Sequence, residues 1–182
     1  INTALESGNR AAARQIVPSV DVSGHGTAVA GIAAGLDSGY RGIAYESDLL
    51  VVKLGTARPC GFPRTTELMR AVNYAVSFAA DRFLPLVINI SFGNTYGSHD
   101  GTSLLETFLD DMTGYGRNVI VAGTGNEGAG AGHTGGLLEM GREQVIELSV
   151  SAFENSFGVQ LWKSYADIFS ISLRSPSGAI MG

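Results

Sequence analysis

The stretch that decides the fold is Asn118-Val-Ile-Val-Ala-Gly-Thr-Gly-Asn-Glu-Gly128, in which an apolar run ends directly in a glycine-rich segment. The apolar run is typical of a buried strand. Asn126 follows this strand, at a position where a side-chain amide can donate a hydrogen bond to a developing oxyanion. The alternative is a plain glycine turn with Asn126 in a left-handed conformation. The same glycines fit G-x-G-x-x-G, but no helix follows them, so the sequence does not favour dinucleotide binding.

Toward the N-terminus, apolar runs alternate with amphipathic segments. Residues 48–54 and 85–91 are further candidates for buried strands. A helix is predicted from Thr65, as its N-cap, to about Arg82, and another from a Ser103/Glu106 capping box to about Thr113. The order β-α-β-α-β predicts an α/β fold with a parallel sheet and crossover helices.

Beyond Asn126 the character of the sequence changes. A glycine-rich loop over 128–136 is followed by three β-leaning runs separated by turn residues, at 144–150, 159–162 and 168–173. We interpret these runs as antiparallel strands of a different unit. The predicted division is a core over residues 1–135 and a β-rich domain starting within 136–182.

Near the N-terminus, a short helix is predicted over 1–15, and Gly24-His-Gly-Thr27 opens a second helix that ends near Gly35. Glycines beside a histidine let the backbone approach closely, and a helix fixes the direction of the ring, as a catalytic base requires. The alternative is a histidine that merely occupies a helix start. Asp21 lies on the loop just before it, where turn or cap chemistry is expected.

Composition excludes several classes of protein. The 182 residues include 12 Lys and Arg against 17 Asp and Glu, a net charge of −5 that argues against nucleic-acid binding. A single cysteine allows no internal disulfide and no cysteine-based zinc site. No apolar run approaches the ~20 residues of a membrane span. We expect no cofactor and no metal.

Taken together, residues 25–31, 89–93 and 125–128 resemble motifs of the subtilisin-like serine proteases, or subtilases. The resemblance extends roughly from residue 17 to 128. Residues 21–31, 91–103 and Leu161-Trp162 are more similar to the clostridial subgroup that includes the germination proteases. The resemblance implies a three-layer α/β core, present here in part, followed by an inserted jelly-roll-like β domain.

The resemblance also implies roles for individual residues. His25 would be the general base and Asn126 the donor to the oxyanion. Substrate would be held as an added strand, and the pocket for its side chain lined, by Ser91, Phe92, Gly93, Gly123, Thr124 and Gly125. The family's catalytic aspartate and serine motifs are expected before residue 1 and after residue 182. We expect Ser103, in Gly101-Thr-Ser103, to cap a helix rather than act as the nucleophile.

The intact protein is thus expected to be a serine endopeptidase acting on protein or peptide substrates, with its own propeptide as a further partner. This chain is interpreted as an internal piece that is inactive alone. The alternative function is a catalytically dead pseudoprotease that binds or regulates partners. No nucleic-acid or membrane-spanning role is expected, and dimerisation or strand exchange of the piece is a hypothesis. Only the resemblance suggests a location, in a secreted, cell-surface or spore-associated bacterial protein.

Other chemically capable side chains receive simpler interpretations. Cys60 is expected to be an unreactive loop thiol. His99 and His133 are expected to be solvated or locally hydrogen-bonded. Asp37, in the short stretch between Gly35 and Gly42, is not expected to bind metal.

Overall fold

The computed structural model describes residues 6–17, 19–54, 63–91, 93 and 95–182. The described residues include helices α1 (Arg10–Ile16), α2 (His25–Ala34), α3 (Thr65–Ala80) and α4 (Leu104–Thr113), and strands β1 (Leu86–Ile90), β2 (Asn118–Ala122), β3 (Leu173–Arg174) and β4 (Ile180–Met181). The chain forms two compact units, Ile1–Asn94 with Leu104–Asn126, and Thr95–Ser103 with Glu127–Gly182. None of the described helices is both long enough and apolar enough to cross a membrane.

In the first unit, β1 and β2 pair in parallel, with Leu86 opposite Asn118 and Ile90 opposite Ala122. Helix α4 connects the two strands, as parallel pairing requires of a crossover. Asn118 anchors the end of this crossover, because its side-chain Nδ2 donates to the carbonyls of Met112 and Tyr115. The predicted parallel sheet with a crossover helix is therefore confirmed.

The core of the first unit lies between α3 and the sheet. Helix α3 packs against β1 and α4, and α4 packs against β2. The buried side chains of α3 recur at helical spacing, at Val72, Ala75, Val76 and Ala79. Two of these four are alanines, and in β1 the buried side chain is that of Ile90. Two helices therefore cover one face of the sheet.

The opposite face of this sheet carries exposed valines. Val87 is 70% exposed, Val119 57% and Val121 48%. These positions alternate with the inward ones, as the two-residue period of a strand dictates. Parallel sheets are normally covered on both faces, so this apolar face is suited to a further layer.

The helix ends differ slightly from prediction. Of the helix predicted over 1–15, α1 covers Arg10–Ile16; Gly8 has φ +69°, and the Asn9 side chain caps α1 by accepting from the Ala12 N–H. Residues 1–5 lie outside the described part. Helix α3 has Arg64 rather than Thr65 as its N-cap, since Glu67 Oε2 accepts from the Arg64 N–H at 3.1 Å.

Most of the strands predicted outside β1 and β2 are not formed in the structure. Residues 48–54, 144–150 and 159–162 form no strand, and of 168–173 only the last residue does so, in β3. The reason is pairing: a strand needs a neighbour for its backbone hydrogen bonds, and no described segment supplies one. Strands β3 and β4 pair antiparallel around the predicted turn at 175–178, where Gly178 has φ +88°.

Candidate functional site

The N-terminus of α2 is organised by Asp21. Its Oδ2 accepts from the backbone N–H and the hydroxyl of Thr27, both at 2.8 Å, and its Oδ1 accepts from the Gly24 N–H at 2.9 Å. The Thr27 N–H bond is the main cause that holds the pKa of Asp21 well below its usual range, followed by the Thr27 hydroxyl. The Asp21 side chain therefore accepts hydrogen bonds from the first turn of α2, in line with the turn or cap chemistry predicted for it.

Gly24 supplies the backbone conformation that this arrangement needs. It is the N-cap of α2 and has φ +76°, in the left-handed region that glycine adopts without steric cost. The turn at Gly24 brings His25 to the first position of the helix. The ring of His25 is thus directed by a capped helix end.

His25 reaches the carboxyl end of β1. Its Nε2 lies 2.9 Å from the carbonyl oxygen of Ser91, a residue 66 positions away in the sequence. Ser91 is itself positioned by Asn89, whose Nδ2 donates to the Ser91 hydroxyl at 2.6 Å. The structure therefore brings together two segments that the sequence singled out separately.

The contact between His25 and Ser91 also fixes where a proton sits. A carbonyl oxygen only accepts, so Nε2 of His25 must carry the hydrogen in this contact. In the neutral ring, Nδ1 then holds the lone pair.

Strand β2 ends at the same edge of the sheet. Ile90 is the register partner of Ala122, and the Gly123 N–H donates to the Ile90 carbonyl at 3.1 Å. Ser91 and Gly123 therefore both lie where the carboxyl ends of the two parallel strands meet. This is the edge at which ligands bind in open α/β sheets.

Asn126 lies three residues beyond Gly123 and is exposed. The left-handed residue of this turn is Gly125, with φ +95°, so the alternative that put Asn126 in that conformation is wrong. Within the described part of the chain, the Asn126 amide makes no hydrogen bond. It is therefore free to donate to a ligand.

The remaining predicted site residues are distributed as follows. Gly93 and Thr124 are exposed, and Phe92 lies outside the described residues. Ser103 immediately precedes α4, which agrees with its predicted place at a helix start. The sequence did not predict that Asn89 holds the Ser91 hydroxyl. The one indication was that Asn89 is a polar residue at an outward position of an otherwise apolar strand.

Two comparisons with known proteins identify the relatives of this chain. A model of the subtilase family of S8 peptidases matches residues 7–177. The structure is similar to that of the Clostridium perfringens CspB protease, with a TM-score of 0.60 and 39% sequence identity. The similarity covers 65% of this chain and 26% of that one, so the chain spans about a quarter of the CspB protease. Because the family model spans nearly all of the sequence, the chain belongs to the subtilase family of serine proteases.

Proposed function

We propose that the protein containing this chain hydrolyses peptide bonds by acyl transfer, with His25 as general base and Asn126 as oxyanion donor. The observation that carries the proposal is the 2.9 Å approach of His25 Nε2 to the Ser91 carbonyl. This short distance supports the view that His25 is directed to the edge of the sheet where a substrate strand would lie. Family membership supports the reaction type.

His25 would take the proton of a serine hydroxyl and return it to the leaving amine. For this, Nε2 must present its lone pair, whereas its contact with the Ser91 carbonyl uses it as a donor. An aspartate that accepts from Nδ1–H would select the required tautomer. We propose that such an aspartate and the nucleophilic serine are supplied by sequence beyond these 182 residues, and that the chain alone does not cleave peptides.

Asn126 would stabilise the charge that develops on the carbonyl oxygen of the substrate. Its amide is exposed and is free of hydrogen bonds among the described residues, so it can donate without first breaking a bond. Gly125, with φ +95°, sets the turn that carries it.

The substrate would be bound as an extended strand. Ser91, Phe92 and Gly93 continue from β1, and their backbone groups are of the kind that pair with an added strand. Gly123, Thr124 and Gly125 continue from β2 and would form one wall of the pocket for the side chain before the scissile bond. A protein or peptide substrate follows from this arrangement.

We further propose that the exposed valine face of the sheet belongs to the three-layer core of a subtilase. Residues 136–182 would begin an inserted, jelly-roll-like β domain. The antiparallel pairing of Leu173–Arg174 with Ile180–Met181 is consistent with the start of such a domain. Both proposals rest on the family resemblance together with these local features.

The decisive experiment is labelling of the intact protein with a fluorophosphonate, read by intact mass. One adduct is expected on the parent protein, none on His25→Ala, and one on His99→Ala, a matched change at another exposed histidine. A folded, fully processed protein that takes no adduct would overturn the proposal. That result would favour the pseudoprotease, in which the edge of the sheet at Ser91 and Gly123 serves for binding alone.

A further inference from the structure

The second unit holds a pair of histidines that the proposed protease chemistry does not use. His99 lies in the segment Thr95–Ser103, and His133 in the segment that starts at Glu127. Their ring centres are 6.5 Å apart and their planes are inclined by 24°. Both side chains are exposed. Two imidazoles from residues 34 positions apart in sequence thus converge at one place that solvent can reach.

His99 is held in a way that leaves one nitrogen available. Its Nε2 lies 2.8 Å from the carbonyl oxygen of Thr95, and since a carbonyl only accepts, Nε2 carries the hydrogen. In the neutral ring, Nδ1 then presents a lone pair. Histidines that bind metals usually donate their other ring N–H in this way, to a backbone carbonyl or carboxylate, which fixes the tautomer and the ring orientation.

The backbone around the pair is also unusual. His99 has φ +59°, a conformation that few residues other than glycine adopt, and it is flanked by Gly97 and Gly101, which also have positive φ. Gly135 lies beside the other ring: a Cβ there would lie 3.7 Å from His133 Cε1. The chain therefore turns tightly around His99, and Gly135 lies against the ring of His133.

The charge nearby favours a cation. Asp100 follows His99 directly, and its carboxylate accepts from the hydroxyls of Ser98 and Thr102 and from the Thr102 N–H. A fixed negative charge one residue away suits a positively charged ligand.

We propose that His99 and His133 together bind one divalent transition-metal ion, with solvent completing the coordination. Imidazole ligands suit Zn²⁺, Ni²⁺ and Cu²⁺ rather than Ca²⁺ or Mg²⁺. Two imidazoles bound to one tetrahedral ion at about 2.0–2.1 Å place their ring centres roughly 5 Å apart, so the two exposed rings, now 6.5 Å apart, would move closer and rotate on binding. The described residues contain no group of three or more such ligands, which makes this a two-histidine site open to solvent.

The ion would join two segments of the second unit. A clip that closes a long loop restricts the unfolded chain more than the folded one. The proposed consequence is a second unit that is stabilised by metal. It does not depend on the proposed protease function.

The test is calorimetric titration of the untagged chain with ZnCl₂, in a Cys60→Ser background so that the thiol does not compete. We expect about one Zn²⁺ per chain. His99→Gln and His133→Gln should each weaken binding at least about tenfold, since ligands and their immediate partners typically contribute tenfold or more. His25→Gln, which changes the third and last histidine of the sequence, should leave binding unchanged.

The double variant separates one shared site from two independent ones. If both rings bind the same ion, the losses of His99→Gln and His133→Gln should not add: the double variant should lose less binding free energy than the sum of the two single losses, because either substitution alone already removes the chelate. Cu²⁺ bound to the parent chain should show paramagnetic-resonance splitting from two nitrogens, and one nitrogen in each single variant. Three outcomes would each overturn the proposal. They are equal Zn²⁺ binding by all the variants, losses of binding in the two single variants that are independent of each other, and no Zn²⁺ binding by the parent chain. Circular dichroism of each variant ensures that only folded proteins are compared.

Discussion

At the scale of single residues, Asn126 is the side chain whose proposed role is most directly measurable. Asn126→Ala in the intact, active protein should lower kcat by about 10²–10³ and leave KM nearly unchanged, because the donor acts only on the developing oxyanion. That size is the one known for removing such a donor in a subtilisin, not a value obtained from this structure. Steady-state hydrolysis of a peptide substrate measures it. A variant with a raised KM and an unchanged kcat would contradict the proposed role.

Two neighbouring glycines should respond in opposite directions to the same substitution. Gly24→Ala places a side chain at φ +76°, at a cost of about 1–2 kcal/mol in the free energy of unfolding. At Gly26, a Cβ would meet Asp21 Oδ2 at an ordinary 3.6 Å, and alanine in a helix gains about 0.5–1 kcal/mol over glycine. Urea denaturation of both variants measures the difference. If both substitutions change the free energy of unfolding equally, then a side chain at position 24 causes no backbone strain.

The residue chemistry of this site was only partly readable from the sequence. Cap or turn chemistry at Asp21 could be predicted, because the groups that donate hydrogen bonds to its carboxylate lie within six residues. The contact of His25 with Ser91 could not, since it joins residues 66 positions apart and depends on how a helix lies against a strand. Likewise, nothing in the sequence indicated that His99 and His133 converge.

At the scale of elements, the start of α2 should be sensitive to acid. The folded pKa of Asp21 is below its unfolded value, so its stabilisation is present above the unfolded pKa of about 3.9 and is lost as pH falls through the folded value. Protection of the Thr27 amide against hydrogen exchange, corrected for intrinsic rates, should therefore decline below about pH 4.

Asp21→Asn should weaken that protection at neutral pH and remove its acid dependence, because an amide offers one acceptor oxygen in place of two. The matched control is Asp37→Asn, which removes a carboxylate beyond the other end of α2. It should leave the Thr27 amide unchanged. If protection of the Thr27 amide still depends on acid in Asp21→Asn, then a group other than Asp21 causes that dependence.

The bounds of helices and strands that the local sequence marks were predictable to within a residue or two. The apolar runs of β1 and β2 are bounded by Pro85 and by the glycines after Ala122, and the structure confirms both. The run at 48–54 has a similar composition but forms no strand, since composition alone does not supply a pairing partner. One long-range contact does hold that run: Lys53 Nζ donates to the Val20 carbonyl at 2.6 Å.

At the scale of the whole molecule, the open valine face should govern behaviour in solution. We expect the chain on its own to associate as its concentration rises, because exposed parallel-sheet faces and strand edges favour pairing. Light scattering after size exclusion measures the mass. Val87→Lys/Val121→Lys should shift the chain toward monomer, whereas Val22→Lys, at an 83% exposed position outside the sheet, should not. A monomer at every concentration would contradict this expectation.

The packing of α3, β1, α4 and β2 has a consequence for the order of folding. These four elements are consecutive, and all the packing between them falls within residues 65–122. Contacts between near neighbours in sequence form faster than distant ones, because less chain entropy is lost in closing them. This segment is therefore expected to fold early during synthesis, as soon as Ala122 has left the ribosome, and its bare valine face would serve as the template on which later parts of the chain assemble.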